Sequence, residues 1–201
     1  MNAERVLPYG PGAAIIETHG DALALALALH GTGRFREVVP AERSVLVMLL
    51  PGTSFDDIEG IVGSLPADLP IVEGRDVEIP VVYDGADLEA VAHAIDGTVA
   101  EVIDLHSATV YRAAFAGFAP GYVYCTGLDP RLHLPRRPTP RTRVPAGSVA
   151  IADIYTAVYP QASPGGWHLL GTTHLELFDI TRPEPALIRP GDRVHFTVRK
   201  P

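Results

Sequence analysis

The sequence predicts an α+β chain in two parts: a ferredoxin-like βαββαβ unit, then a small β-barrel or sandwich with structured loops. Three observations carry this reading. Over the first 80 or so positions the apolar pattern runs strand, helix, strand, strand, helix, strand, which is the order of the split βαβ unit. Beyond residue 109 the chain breaks into short apolar runs, with turn signals roughly every 8 to 15 residues. Residues 116–173 are also denser in Gly, Pro and Arg than anything around them. Gly and Pro fix backbone positions that other residues reach only at a cost, so this density predicts loops of defined shape. The predicted domains are 1–83 and 84–201, the second opening with a helical pair.

Residues 13–18 are apolar and β-branched, a strand. DALALALAL over 21–29 alternates with period two, yet Ala and Leu are helix formers and no β-branched residue appears. A helix is therefore expected, capped by Asp21 and stopped by Gly31. Residues 35–39 and 44–50 read as a hairpin joined by PAER. SFDDIEGIVGSL, 54–65, carries apolar residues at helical spacing, with Ser54 as the expected cap. RDVEIPVVY, 75–83, would close the first unit. Two short helices follow at 87–95 and 99–107, the second capped by Thr98. Residues 175–180 and 193–199 are the expected final strands, with a PGD turn at 190–192 between them.

Composition narrows the function. The formal charge is −8, against the broad basic face that general nucleic-acid binding needs. No apolar run approaches the ~18 residues of a membrane span, and MNAERVLPYGPG lacks the apolar core of a signal peptide, so a cytoplasmic protein is expected. Cys125 is the sole cysteine, which leaves no internal disulfide and no cysteine-based zinc cluster; no metal site is expected. Lys200 is the sole lysine among sixteen basic residues. A phosphate loop of the G-x-x-x-x-G-K type is absent, and an internal Schiff-base or biotin-carrying lysine is excluded. If this chain handles an anion, arginine and backbone amides must do it.

Five constellations bear on chemistry. Arg131, Arg136, Arg137, Arg141 and Arg143, with His133 among them, put five guanidinium groups in a short proline-stiffened loop. Such a cluster calls for acidic partners: a ligand carboxylate or phosphate, another subunit, or the chain's own Asp and Glu. SPGGW, 163–167, either lets backbone amides approach a ligand beside Trp167 or makes a tight turn before a core Trp. GFAPGY, 117–122, is a turn closed by two aromatics. His106, where a helix meets a strand, is a base or a satisfied core group. His174 and Glu176 would face one side of a strand, with nothing else beside them to make a dyad. Spacing alone names no reaction.

LHSATVYR, GFAPGYVY, GLDPRLHLPRRPTPRTRVPAGSVAIA, YPQASPGGWHLLGTT and RPGDRVHF are long, ordered and specific. Over residues ~80–200 the chain resembles the family known as KipI, as the B component of 5-oxoprolinase or as allophanate hydrolase subunit 1. The resemblance implies a small N-terminal α/β domain followed by a cyclophilin-like β-barrel. It implies partners: a KipA or allophanate hydrolase subunit 2-like protein, and a third 5-oxoprolinase component. The implied activity is ATP-dependent opening of 5-oxoproline to glutamate, with ATP and Mg bound by the complex and no covalent cofactor. Other roles in the family are inhibition of a sensor histidine kinase and a carboxyltransferase-like part in urea or allophanate metabolism.

Carried over position by position, the resemblance gives a substrate- or anion-binding set. Phe118, Pro120, Gly121 and Tyr122 fall on the family's GF-PG-aromatic loop, and Arg136, Arg137 and Arg141 on its PRR..PR segment. Gly147 and Ser148 fall on PAGS; Tyr159, Gly165, Gly166 and Trp167 on YP..SPGGW. Tyr155 belongs to the one departure, ADIYTAVYP in place of the family's AGGQTGIYP. There Asp153, Ile154, Tyr155 and Ala157 replace two Gly, a Gln and a third Gly. His106, Arg136 and Arg137 are the candidate catalytic residues.

Overall fold

The computed structural model describes residues 5–70, 72 and 74–200. The chain forms two compact units, Met1–Glu73 and Gly74–Pro201. In the first, strands β1 (Arg5–Pro8), β2 (Ala13–Glu17), β3 (Phe35–Pro40) and β4 (Ser44–Leu49) are joined by helices α1 (Ala22–Gly31) and α2 (Asp56–Gly63). All strand pairs are antiparallel, in the order β1-β2-β4-β3. Alternation along the central strands turns Ala14, Ile16, Val45 and Val47 to one face, where they bury against Leu25, Leu29 and Ile58 of the helices.

Helix propensity wins over period two in α1, as expected. The Asp21 carboxylate accepts the Leu23 and Ala24 N–H groups at 3.0 and 3.3 Å, a cap that contributes about 1 kcal/mol. In α2 the capping is the reverse of the expectation. Ser54 does not cap the helix; its N–H and hydroxyl donate to the Asp57 carboxylate at 2.8 and 2.9 Å. Asp57 therefore reaches back, the half of a capping box that an acid in the first turn supplies.

The first unit does not close as expected. Residues 75–83 lie outside it, the division between the units falls at 73/74 rather than 83/84, and the place beside β2 is taken by β1, a strand the sequence reading did not include. The element order is ββαββα. Residues 75–83 belong to the second unit for a physical reason: residues 76–81 pair in parallel with residues 193–198, and their alternation buries Val77, Ile79 and Val81 in that unit's core.

The second unit contains β5 (Asp76–Val81), α3 (Leu88–Ala94), α4 (Val99–Ser107), β6 (Val110–Ala116), β7 (Val123–Thr126), β8 (Arg141–Val144), β9 (Ser148–Ala152), β10 (Tyr155–Val158), β11 (Ser163–Gly165), β12 (His168–Thr172) and β13 (Arg193–Val198). Seven of these strands form one sheet in the order β12-β9-β10-β7-β6-β13-β5, antiparallel except for the parallel pair β13/β5. Its two edges meet. Just past β5, Val82 exchanges both backbone hydrogen bonds with Thr172 of β12, at 2.9 and 2.8 Å. The Gly85 and Asp87 N–H groups continue the seam onto Leu170 and Leu169 carbonyls, each at 3.1 Å. The sheet thus closes into the expected barrel, which removes its exposed edges.

Inward residues such as Ile79, Tyr111, Ile151, Leu170 and Phe196 fill the barrel, joined by Leu88, Val91 and Val102 from α3 and α4. Thr98 caps α4 as expected, accepting from Glu101 N–H at 3.2 Å. Cys125 is buried in this core, where burial pushes its thiol up to about 12, so it is a small hydrophobe. Residues 175–180, expected as a strand, make a single bridge between Phe178 and Ala186. His174 and Glu176 are exposed on this irregular segment, and Glu176 pairs with Arg182 at 2.7 Å, so no dyad forms.

Candidate functional site

Strands β9 and β10 are buried on both faces, so the outer face of the barrel must be covered there. Residues that alternate with the barrel interior point outward: Ala150 and Ala152 of β9, Tyr155 and Ala157 of β10, Leu169 of β12. Tyr122, Tyr159 and Trp167 pack onto them and make a second apolar layer. The rings meet edge to face, Tyr122 with Tyr159 at 5.3 Å, Tyr122 with Trp167 at 5.9 Å and Tyr124 with Trp167 at 5.7 Å. Between them lies a cleft of about 70 Å³, lined by Phe118, Tyr122, Tyr124, Arg136, Tyr159 and the Pro164–Trp167 segment. Two larger depressions, about 450 and 510 Å³, lie on the first unit. The second of these is lined by Ala, Leu, Pro and Val alone and offers no side-chain donor to orient a ligand.

The GFAPGY turn places Phe118. Gly117 and Tyr122 are joined across it by a 3.2 Å hydrogen bond, and Gly121 at φ +78° packs so tightly on Phe178 that a Cβ would lie 2.6 Å from its Cβ. Pro120 is exposed and shapes the turn without lining the cleft. Phe118 has φ +68° yet its ring is 64% exposed at the rim. A bulky residue in the left-handed region costs of order 1–3 kcal/mol, and such strain concentrates at ligand-binding positions.

The arginine loop divides sharply. Arg131 pairs with Glu101 at 2.7 Å. Arg137 and Arg141 both donate to the buried carboxylate of Asp87, Arg141 Nη2 at 2.8 Å, while the other Asp87 oxygen accepts Leu169 N–H at 2.8 Å. Burial pushes the Asp87 carboxyl up, but hydrogen bonds from Arg141 and Leu169, with the charges of Arg141 and Arg137, outweigh it and hold its pKa below the usual value. These two arginines therefore tie the loop to the barrel, and the chain's own carboxylate is the acidic partner the cluster called for. Arg143 is exposed and stands away from the cleft lining. Arg136 alone of the five reaches the cleft: its guanidinium carbon sits 6.0 Å above the Trp167 ring and its Nε lies 3.7 Å from Asp153. An ion pair between groups this exposed contributes a few tenths of a kcal/mol, so Arg136 remains available to a ligand.

His106 is not a catalytic residue. It is fully buried, packed at a tilt against Phe196 with ring centroids 4.6 Å apart, and both ring nitrogens are used. Thr156 Oγ1 donates to the Ala150 carbonyl at 3.2 Å and so accepts from Nε2–H at 2.8 Å, leaving Nδ1 to accept the Tyr83 hydroxyl at 2.7 Å. Burial lowers its pKa to about 3. Because the folded value is depressed, its stabilising contribution is complete above pH 6.5 and declines as pH falls toward 3. Between pH 7 and 5 this amounts to about 2 kcal/mol. The His106 ring resonances should stay those of the neutral Nε2–H form down to pH 4.5; an NMR titration midpoint near 6.5 would refute this placement.

Gly147 and Ser148 also serve the fold. Gly147 N–H donates to the Tyr159 carbonyl at 2.7 Å, and Ser148 Oγ donates to the Pro145 carbonyl at 2.8 Å. In SPGGW, Gly165 is the glycine the cleft requires, since a Cβ there would stand 2.3 Å from the Tyr159 hydroxyl, whereas Gly166 has ordinary room. The divergent ADIYTAVYP stretch makes the two-residue β9–β10 turn, with Asp153 at φ +53° and facing Arg136. Tyr155 and Ala157 lie on the outer face of β10, and Tyr155 packs edge-on against Phe115 and Tyr124. The departure therefore alters the layer on which the cleft is built. Tyr124, Pro164 and Asp87 were missed by the sequence reading; period two along VYCT puts Tyr124 beside Tyr122, while nothing local marks Asp87.

The chain is matched over residues 6–188, which span most of both units, by the family model of the carboxyltransferase domain, subdomain C and D. The chain is 51% identical over 131 residues to the B component of 5-oxoprolinase from Escherichia coli O157:H7, a match that covers 64% of this chain and 60% of that protein. It is 38% identical over 193 residues to the corresponding 5-oxoprolinase component of Haemophilus influenzae, covering 94% and 91%. The crystal structure of TTHA0988 superposes with a TM-score of 0.82 at 37% identity, over 94% of this chain and 40% of that one. The chain belongs to the KipI family, that of the 5-oxoprolinase B component.

Proposed function

We propose that the chain is a component of an assembly that opens 5-oxoproline to glutamate with hydrolysis of ATP, and that it supplies the cleft that holds the substrate acid. The observation that carries this is the pairing of an aromatic-walled slot with one loosely held guanidinium, Arg136, while Arg137 and Arg141 are turned to Asp87. The names of the E. coli and H. influenzae relatives support the substrate. The cleft is lined by a cation, phenols and backbone, without imidazole or carboxylate. A general base must then come from elsewhere, and a KipA-like protein and a third 5-oxoprolinase component are the partners that would bring it, together with the ATP and Mg site. In this reading ATP would pass its γ-phosphoryl group to the amide oxygen and leave as ADP; one water would add to the activated carbon and the C–N bond break to give the amine and an acyl phosphate, and a second water would release phosphate and leave glutamate.

Mixing the purified chain with those two partners, ATP, Mg and 5-oxoproline should yield glutamate only when every component is present. The same mixture with urea in place of 5-oxoproline is the control for a carboxyltransferase-like role. If the E. coli relative yields glutamate with the same partners and this chain does not, the substrate assignment is wrong.

A further inference from the structure

The polar depression of the first unit gathers side chains that the fold does not need there. About 450 Å³ in volume, it is lined by Ile15, Glu17, Thr18, His19, Arg43 and Ser44. That volume is within the range of small-molecule sites. Its floor follows from period two. Ala14, Ile16 and Val45 turn to the core, so Ile15, Glu17 and Ser44 share the opposite face of the β2/β4 pair, with Glu17 directly across from Ser44. Just past them the Thr18 N–H donates to the Arg43 carbonyl at 3.0 Å and closes the end of the pair. His19 and Arg43 are both exposed there and meet through their side chains, Arg43 Nη2 to His19 Nδ1 at 2.9 Å.

The charges of this lining do not balance. A guanidinium can only donate, so Nδ1 accepts and the partner of Arg43 is a neutral ring. The contact uses one of the five guanidinium N–H groups, and among the described residues no carboxylate pairs with Arg43. The two acids nearby are engaged elsewhere. Glu17 faces the Arg5 fork, its Oε1 at 3.2 Å from Nη2 and its Oε2 at 3.0 Å from Nε. Asp21 accepts the Leu23 and Ala24 N–H groups at the start of α1. The Ser44 hydroxyl also has no partner among the described residues. A cation without an acid, a hydroxyl donor and an apolar floor thus share one hollow.

We infer that this depression binds a small monocarboxylate, with Arg43 and Ser44 holding the carboxylate and its apolar body lying on Ile15. Arginine offers a carboxylate two parallel N–H groups, and the hydroxyl adds a third donor. A phosphate ester fits less well. It brings more negative charge to a single unpaired guanidinium, and the Glu17 carboxylate borders the same hollow. The site lies wholly within the first unit, so it stands or falls apart from the aromatic cleft and the assembly proposed above.

Amide spectra of the full chain, labelled with nitrogen-15, test this with three probes: benzoate, phenyl phosphate and the neutral benzamide. Benzoate should move the Ile15, Glu17 and Ser44 amides together and saturably, and benzamide should leave them in place. Phenyl phosphate should bind about threefold more weakly than benzoate. The Trp167 indole reports the cleft in the same spectra, so binding there is scored separately. Arg43→Gln should weaken benzoate about tenfold, and Ser44→Ala about threefold. Neither side chain belongs to the core of the unit, and Ser44→Ala serves if Arg43→Gln disturbs the hairpin. Benzoate shifts undiminished in either variant, an equal response to benzamide, or phenyl phosphate bound as tightly as benzoate overturns the assignment. So does a parent chain whose amides at these three positions do not respond.

Discussion

Asp87→Ala is expected to lower the unfolding free energy of the second unit by about 3 kcal/mol, read from urea denaturation followed through Trp167 fluorescence. Removing one partner of a buried charge cluster leaves the others uncompensated, which costs about 3–5 kcal/mol. The lower end applies because Arg137 and Arg141 keep 32% and 23% of their side-chain surface exposed and recover some hydration. The Leu169 N–H also loses its acceptor. Arg136→Ala, one residue from Arg137, should stay within about 0.5 kcal/mol of the parent while losing response to ligand. The two neighbours thus separate scaffold from site. The acid limb has a defined sign. The Asp87 carboxyl is held below its ordinary value of 3.8, so its stabilisation is complete above about pH 4 and fades as pH falls further. Parent-like midpoints for Asp87→Ala would show that the arginines find other partners.

That contrast explains why the arginine loop could be located from sequence but not assigned. Five guanidinium groups in one proline-stiffened loop announce that anions are near, yet Asp87 lies 50 residues from Arg137 and 54 from Arg141, and only closure of the barrel brings it to them. The same limit governs the first unit. The strand periods of residues 13–49 and the helix propensity of its Ala-Leu run are local properties and placed the strands and helix correctly, but edge partners are not local. Residues 5–8 and 75–83 could each have served as the last strand beside β2. The second is drawn away by β13, where six consecutive residues pair in register from Arg193 with Asp76 to Val198 with Val81. His106 was ambiguous for a related reason: its neighbours in sequence do not show that Tyr83 and Thr156 would take both nitrogens. The aromatic cleft was more legible. Gly-Phe, Pro-Gly and Pro-Gly-Gly-Trp punctuation states where the backbone must bend, and the aromatic residues fall at those bends.

Gly85→Ala is expected to be as damaging as the loss of Asp87, through geometry alone. At Gly85 an added Cβ would lie 2.2 Å from the Leu169 carbonyl oxygen and 2.3 Å from the Leu170 carbonyl carbon. Both are backbone atoms of β12, so no side chain can rotate away; one strand of the seam must retreat. Four backbone hydrogen bonds cross there, the Val82–Thr172 pair and the Gly85 and Asp87 N–H groups. At about 1 kcal/mol each, their weakening brings the expected cost to about 3 kcal/mol. Amide exchange at Val82, Gly85, Asp87 and Thr172 should accelerate together, because they open as one seam. The effect should reach the cleft, since residue 87, two positions on, holds the arginine loop that carries Arg136. Gly60→Ala in α2 is the matched control: its Cβ would meet nothing within 4 Å, and alanine favours the helix, so stability should rise by a few tenths to 1 kcal/mol. If Gly85→Ala melts with the parent and keeps its slow amides, the seam is not what closes the barrel, and the link from Val82 through Asp87 to the cleft fails with it.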